Sequence, residues 1–256
     1  MQLAGFALAW GTPSPCTAPS AAPRLDHVII AVRDLDSAAA KFRALGYRLK
    51  PGRLHQNGLL NQHIKFRDGT EIELMTVAGP ATDRMAKEYA DLIAAGDGGA
   101  YLALRVASPD SANAIAGRLG LSPRGSSAGS WHFLSFPPSS PESVVFFVSG
   151  GSPARDPDSI FVHPDGATGL ADVWVEAGPS LVPLLSGLGG RLCPDSVQVA
   201  GRRAPRIALA NGSVVVLQRD GTGPPRVIGV ALRRPDGPPT VAVLPNFWIV
   251  AGIEWR

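Results

Sequence analysis

Between Pro23 and Gly46 the apolar pattern changes period once, and the same change recurs further down the chain. Leu25 to Val32 (LDHVIIAV) is a short, β-branched apolar run that ends at Arg33-Asp34, as a mostly buried strand does. From there Ala38, Phe42 and Leu45 recur at helical spacing, Asp34 or Asp36 supplies an N-cap, and Gly46 ends the helix. Extended pieces follow at Tyr47 to His55, Asn61 to Arg67 and Thr70 to Val77, with Asp68-Gly69 as the turn between the last two. The unit is βαβββ.

Two further copies have the same order. In the second, Ala100 to Val106 is a strand, Pro109 to Leu119 a helix, and Trp131 to Phe136 and Val144 to Val148 are later strands. Asp36-Ser37 matches Asp110-Ser111, and Leu45-Gly46 matches Leu119-Gly120 at the same offset. The third copy runs from the strand Leu170 to Glu176 through a short helix after Ser180 to strands near Val197, at Arg206 to Leu209 and at Ser213 to Gln218. Asn211-Gly212 is its turn, and Asp83 to Ala95 reads as a connecting helix between copies one and two. The expected fold class is α+β: repeated βαβββ modules whose sheets curl into a cup. Residues 1 to 23 read as a leader or disordered arm, 24 to 150 as modules one and two, 151 to 220 as a third module, and 221 to 256 as a Pro-rich tail that adds an edge strand at most.

Composition narrows the function classes. With 29 Gly and 24 Pro in 256 residues, short elements joined by turns are favoured over long helices. No apolar run approaches the roughly 18 residues a spanning helix needs, so no membrane span is expected. The net charge of +3 is spread along the chain without a dense basic stripe, which argues against nucleic acid as a partner. A small molecule is the expected partner, with the chain a monomer or homodimer. Cys16 and Cys193 allow at most one bridge, and a free or buried thiol is the expectation for each. A cytoplasmic location follows, with export as a second reading because Leu3 to Trp10 is apolar.

Strand alternation puts His27, Ile29 and Ala31 on one face of the first strand, and Glu71, Glu73 and Met75 on one face of the strand that closes the module. An imidazole and a carboxylate converging from rigid strands suit a borderline divalent ion. The bland alternative is that His27 caps a sheet edge and Glu73 is solvated. His63, on an adjacent strand, and His163, in a Pro/Gly-rich loop, are further candidates. Trp131, Trp174 and Phe66 are candidate lining aromatics.

The run LDHVIIAVRDLDSAAAKFRALGYRL, followed by GLLNQHIKF and DGTEIELM, resembles the glyoxalase-like branch of the vicinal oxygen chelate superfamily. HPDGATGL at 163 to 170 is similar to that branch's HPNGA segment. The resemblance implies paired βαβββ modules of glyoxalase and bleomycin-resistance type around a cup. It also implies a divalent metal (Zn, Mn, Fe or Ni), held by His27 and Glu73, with Glu73 placed to move a proton. Asp172, at the position of His27 in the third copy, and His163 would add ligands.

The chain departs from this pattern in several places. At the place of His27 the second copy offers Tyr101. At the place of Glu73 the second and third offer an apolar residue near Phe146 and Val216. The family's GT-x-N segment is Gly58-Leu59-Leu60-Asn61 here, without the threonine. The implied function is a metal-dependent enzyme of lyase, isomerase or dioxygenase type acting on a small oxygenated substrate, isomerase chemistry being least supported. The alternative is a non-catalytic small-molecule-binding module with a degraded metal site.

Overall fold

A computed structural model describes residues 16–151, 156–163, 166–199, 202–219, 224–235, 240–244 and 247–251. The first module comprises β1 (Arg24–Ala31), α1 (Leu35–Ala44), β2 (Lys50–Leu54), β3 (Leu59–Lys65) and β4 (Glu71–Val77). After α2 (Arg84–Ala95), the second comprises β5 (Gly98–Arg105), α3 (Pro109–Arg118), β6 (Arg124–Ala128), β7 (Trp131–Ser135) and β8 (Val145–Gly150). The third holds β9 (Gly169–Ala177), α4 (Leu181–Gly187), β10 (Arg191–Leu192), β11 (Val197–Val199), β12 (Arg202–Ala204), β13 (Arg206–Leu209) and β14 (Gly212–Gln218). The tail supplies β15 (Arg226–Arg233), β16 (Thr240–Leu244) and β17 (Phe247–Ala251).

Local chemistry sets the element ends. Asp34 caps α1 by accepting from Ser37 N at 2.9 Å, Asp83 caps α2 through Ala86 N, and Ser108 caps α3 with Pro109 in its first turn. Gly69 takes φ +87° in the β3–β4 turn, a conformation a side chain would strain.

In each full module the first and last strands pair in parallel: β1 with β4, β5 with β8, β9 with β14. Modules one and two then join through antiparallel β1 and β5, and β15 joins the third module through β9. The tail is therefore more than an edge strand. Its described residues form a partial fourth module of strands, in which β15 runs parallel to β17 and β17 antiparallel to β16. Among the described residues fifteen strands make one curled sheet, and β11–β12 is a separate ribbon.

The sheet buries both faces. On the outer face Val28, Ile30, Ile72, Leu74, Leu102, Leu104 and Phe147 pack with the apolar stripes of α1, α3 and α4 in one continuous core. On the inner face of the first cup Ile29, Ala31, Met75 and Ala100 meet Ala86 and Tyr89 of α2, so the connecting helix fills part of the hollow. Inside the second cup Trp174, Val215 and Leu217 are covered by Val197, Val199 and Ala204 of the ribbon.

Reciprocal clasps lock the two halves together. The Asp68 turn of module one holds the start of β9: Asp68 N donates to Thr168 O, Thr70 Oγ1 accepts from Leu170 N at 2.9 Å, and Asp68 pairs with Arg233 at 2.7 Å. The Asn211 turn of module three holds the start of β1, with Asn211 accepting from Leu25 N at 2.7 Å and donating to Leu25 O at 3.0 Å.

The N-terminal arm and the cysteines differ from expectation. Residues 1–15 of the arm lie outside the described residues, but Ala22 is buried and Cys16 is bonded to Cys193, so neither cysteine is a free thiol. No described helix is long and apolar enough to cross a membrane.

Candidate functional site

His27 and Glu73 reach the inner face of the first cup from β1 and β4, where parallel pairing sets Ile29 beside Glu73 and His27 beside Glu71. Their side chains meet: His27 Nε2 lies 3.7 Å from Glu73 Oε2. Asn61 on β3 donates from Nδ2 to Glu73 Oε1 at 2.6 Å while its Oδ1 accepts from Arg53 N at 3.0 Å. That second bond fixes the orientation of the amide, so one carboxylate oxygen is committed to Asn61 and the other faces the imidazole.

Asp26 holds the other side of the imidazole, with His27 Nδ1 2.7 Å from Asp26 Oδ1. Neighbouring residues of a regular strand point to opposite faces, yet these two meet. The β1–β5 register shifts between Leu25 and His27, and the irregularity brings Asp26 round beside its neighbour. Arg105 secures Asp26 in turn, donating Nε to Asp26 Oδ2 at 2.7 Å and Nη1 to Gly150 O at 2.9 Å, with its guanidinium 5.1 Å from the Trp131 ring centre.

Burial of His27 opposes its charged form, but the hydrogen bond to Asp26 and the charges of Glu73, Asp26 and Glu71 outweigh it and raise the imidazole to about 9. Burial likewise opposes ionisation of Asp26, and its bonds to His27 and Arg105 still hold it below the ordinary aspartate value. Glu71 is also held low: against the cost of burial stand His63, 3.4 Å away, and the charges of His27 and Lys65. Lys65 and Lys50 meet on Asp156 at 2.8 and 2.5 Å.

An aromatic wall stands opposite. Phe146 meets the His27 ring edge-on at 5.6 Å, Tyr101 lies 6.4 Å from Phe146 and 5.5 Å from Tyr89, and Phe133 links Phe146 to Trp131. The second module thus contributes rings where a symmetrical site would need donors.

The other expected ligands are elsewhere. Both ring nitrogens of His163 are spent on main chain, Nδ1 accepting from Arg48 N at 3.1 Å and Nε2 facing Lys65 O at 3.0 Å. Its ring is wedged against Tyr47 and Phe66, so it fixes a loop and has no lone pair for a cation. Asp172 is buried in the second cup, where it accepts from Ser213 Oγ; β15 and β5 separate its strand from β1. Burial raises its carboxyl to about 6 in spite of Ser213 and the Arg206 and Arg233 charges. Of the expected lining aromatics only Trp131 faces the first cup; Phe66 belongs to the outer core and Trp174 lies under the ribbon.

These residues do not fit a resident divalent metal. Such a site takes three or four protein donors. Among the described residues no three His, Cys, Asp or Glu side chains are grouped to hold an ion. His27 and Glu73 are two donors, each already bonded on its far side.

A family profile described as "Glyoxalase-like domain" matches residues 25–180. No functionally curated protein matches the chain. A hypothetical protein from Staphylococcus aureus is similar in structure at TM-score 0.64 and 12% identity, over 90% of this chain and 99% of the other. A xylose isomerase-like TIM barrel/4-hydroxyphenylpyruvate dioxygenase fusion protein gives TM-score 0.55 and 13% identity over 88% of this chain, which spans 38% of the fusion. At these identities the likeness is one of fold.

Proposed function

Because the chain belongs to the glyoxalase-like domain family of the vicinal oxygen chelate superfamily, we propose that its first cup is a binding site for a small oxygenated organic molecule and works without a resident metal. The observation that carries this reading is the pairing of His27 with Glu73 at 3.7 Å on the inner face, below a wall of Tyr101, Phe133 and Phe146. Apolar rings with a few convergent polar groups are the usual make-up of a small-molecule site. The imidazolium donates to a ligand oxygen, and Glu73 Oε2 accepts from a ligand hydroxyl. The rings exclude water and bury the carbon skeleton.

A second reading is supported by the same pair. A carboxylate oxygen beside an imidazole can pass a proton to and from a bound molecule, which makes Glu73 the candidate base. Asn61 and Asp26 would then be positioning residues. The metal-dependent lyase, isomerase or dioxygenase forms of this reading need a third donor, and among the described residues no three His, Cys, Asp or Glu side chains are grouped to supply it.

Titrating isotope-labelled protein with a panel of small aromatic and aliphatic hydroxy- and oxo-acids tests the proposal. Binding at the cup shifts the amide signals of β1, β4, β5 and β8, and Phe146→Ala weakens it at least about tenfold. Shifts confined to other strands, or binding indifferent to Phe146, would refute it.

A further inference from the structure

The segment leading into β1 and the start of β1 itself are fastened to the third module at three points. Cys16 is bonded to Cys193 across 177 residues of chain, Ala210 N donates to Pro23 O at 3.0 Å, and Asn211 takes both main-chain groups of Leu25. Cys193 is buried, and its own N–H donates to Arg206 O, so its anchor is a paired part of the module. The next residues after Leu25 are Asp26 and His27. The register irregularity that turns Asp26 beside the imidazole therefore begins where the clasp ends.

We infer that the Cys16–Cys193 disulfide is a covalent latch that holds the first residues of β1, and with them the Asp26–His27 end of the first cup, against the third module. The chain is accordingly built for an oxidising compartment, which favours the export reading of its apolar N-terminus over a cytoplasmic one. Forming the bond removes one hydrogen from each sulfur, and the two electrons pass to a disulfide donor that is itself reduced to thiols. A dithiol reductant reverses the exchange and returns both hydrogens. Nothing in this inference depends on what the first cup binds.

The test uses the full chain, produced under oxidising conditions and then reduced while folded. Before reduction no thiol reacts with an alkylating reagent in denaturant, and after reduction two do. Reduction lowers Tm by about 10 °C, the effect of releasing so long a loop. It also speeds hydrogen exchange at the amides of Leu25 and Ala210 by about tenfold or more, with little change at β7 and β8. Cys16→Ser and Cys193→Ser reproduce the reduced state. Should either variant fail to fold, chemical reduction of the folded wild-type chain carries the test alone. Two reactive thiols in the unreduced protein, or exchange at Leu25 that is unaffected by reduction, would overturn the latch.

Discussion

Replacing His27 by glutamine removes a cation enclosed by Asp26, Glu73 and Glu71 without emptying the space. The wild-type imidazole is raised from 6.5 to about 9, a difference of about 2.5 units, and at about 1.4 kcal/mol per unit this amounts to about 3 kcal/mol of preferential stabilisation of the charged form. The side chain is 14% exposed, so solvent screening removes little of this. A folded pKa above the unfolded one means the folded state binds the extra proton. The contribution is therefore complete below pH 6.5 and is lost as pH rises through about 9. Urea unfolding of the wild type and His27→Gln at pH 6, 7.5, 9 and 10 reads it directly. The wild-type advantage should shrink by about 3 kcal/mol across that range. Groups remote from His27 are common to both chains and cancel in the difference, while Asp26 and Glu71, which the imidazolium helps to hold low, are already ionised in the wild type throughout this range. A gap that stays constant from pH 6 to pH 10 would refute the reasoning, because it would mean that His27 is neutral in the folded protein.

Other substitutions test the frame around the site. Asn211→Ala leaves Leu25 N–H and C=O without their partner and should cost about 2 kcal/mol in urea unfolding, with faster exchange at Leu25. Gly52→Ala would drive a methyl group into Asn61, whose amide orients Glu73; loss of at least about 2 kcal/mol is expected, together with a changed environment of Glu73 in side-chain NMR. Asp172 titrates at about 6 in the folded chain against 3.8 for an ordinary aspartate, so its contribution is complete below pH 3.8 and is lost as pH rises through about 6. Asp172→Asn should therefore be about 3 kcal/mol more stable than wild type at pH 7.5 and show little advantage at pH 4, in paired thermal melts.

The module was legible in the sequence because its signals are local. A run of apolar residues, an aspartate cap and a stop at Gly46 mark β1 and α1, and the Asp68-Gly69 and Asn211-Gly212 turns mark the hairpins. His27 and Glu73 could be placed on one face because strand alternation holds between Ile72 and Met75 and from His27 onward. Asp26 was hidden for the same reason: alternation sends it away from its neighbour, and the irregularity that reverses this lies in the pairing with β5, which no single strand displays. Arg105 becomes visible only once Asp26 is placed. The cysteine bridge spans most of the chain, and a spacing that long carries no signal of its own. His163 opens a family-like segment, yet the neighbours that occupy its nitrogens, Arg48 and Lys65, come from another module. The Pro-rich tail obscured β15, whose partners β9 and β17 lie on either side of it in sequence.

On the proposed reading the His27–Glu73 pair works as an imidazolium held by carboxylates, in place of half a metal centre. Elemental analysis of the purified full chain after equilibration with Zn, Mn, Fe(II) or Ni ions, alongside His27→Gln, puts this to the test. Well under about 0.1 equivalent of tightly held metal is expected in both proteins, given a two-donor set. Close to one equivalent in the wild type that disappears in His27→Gln would show that the pair is a metal centre after all.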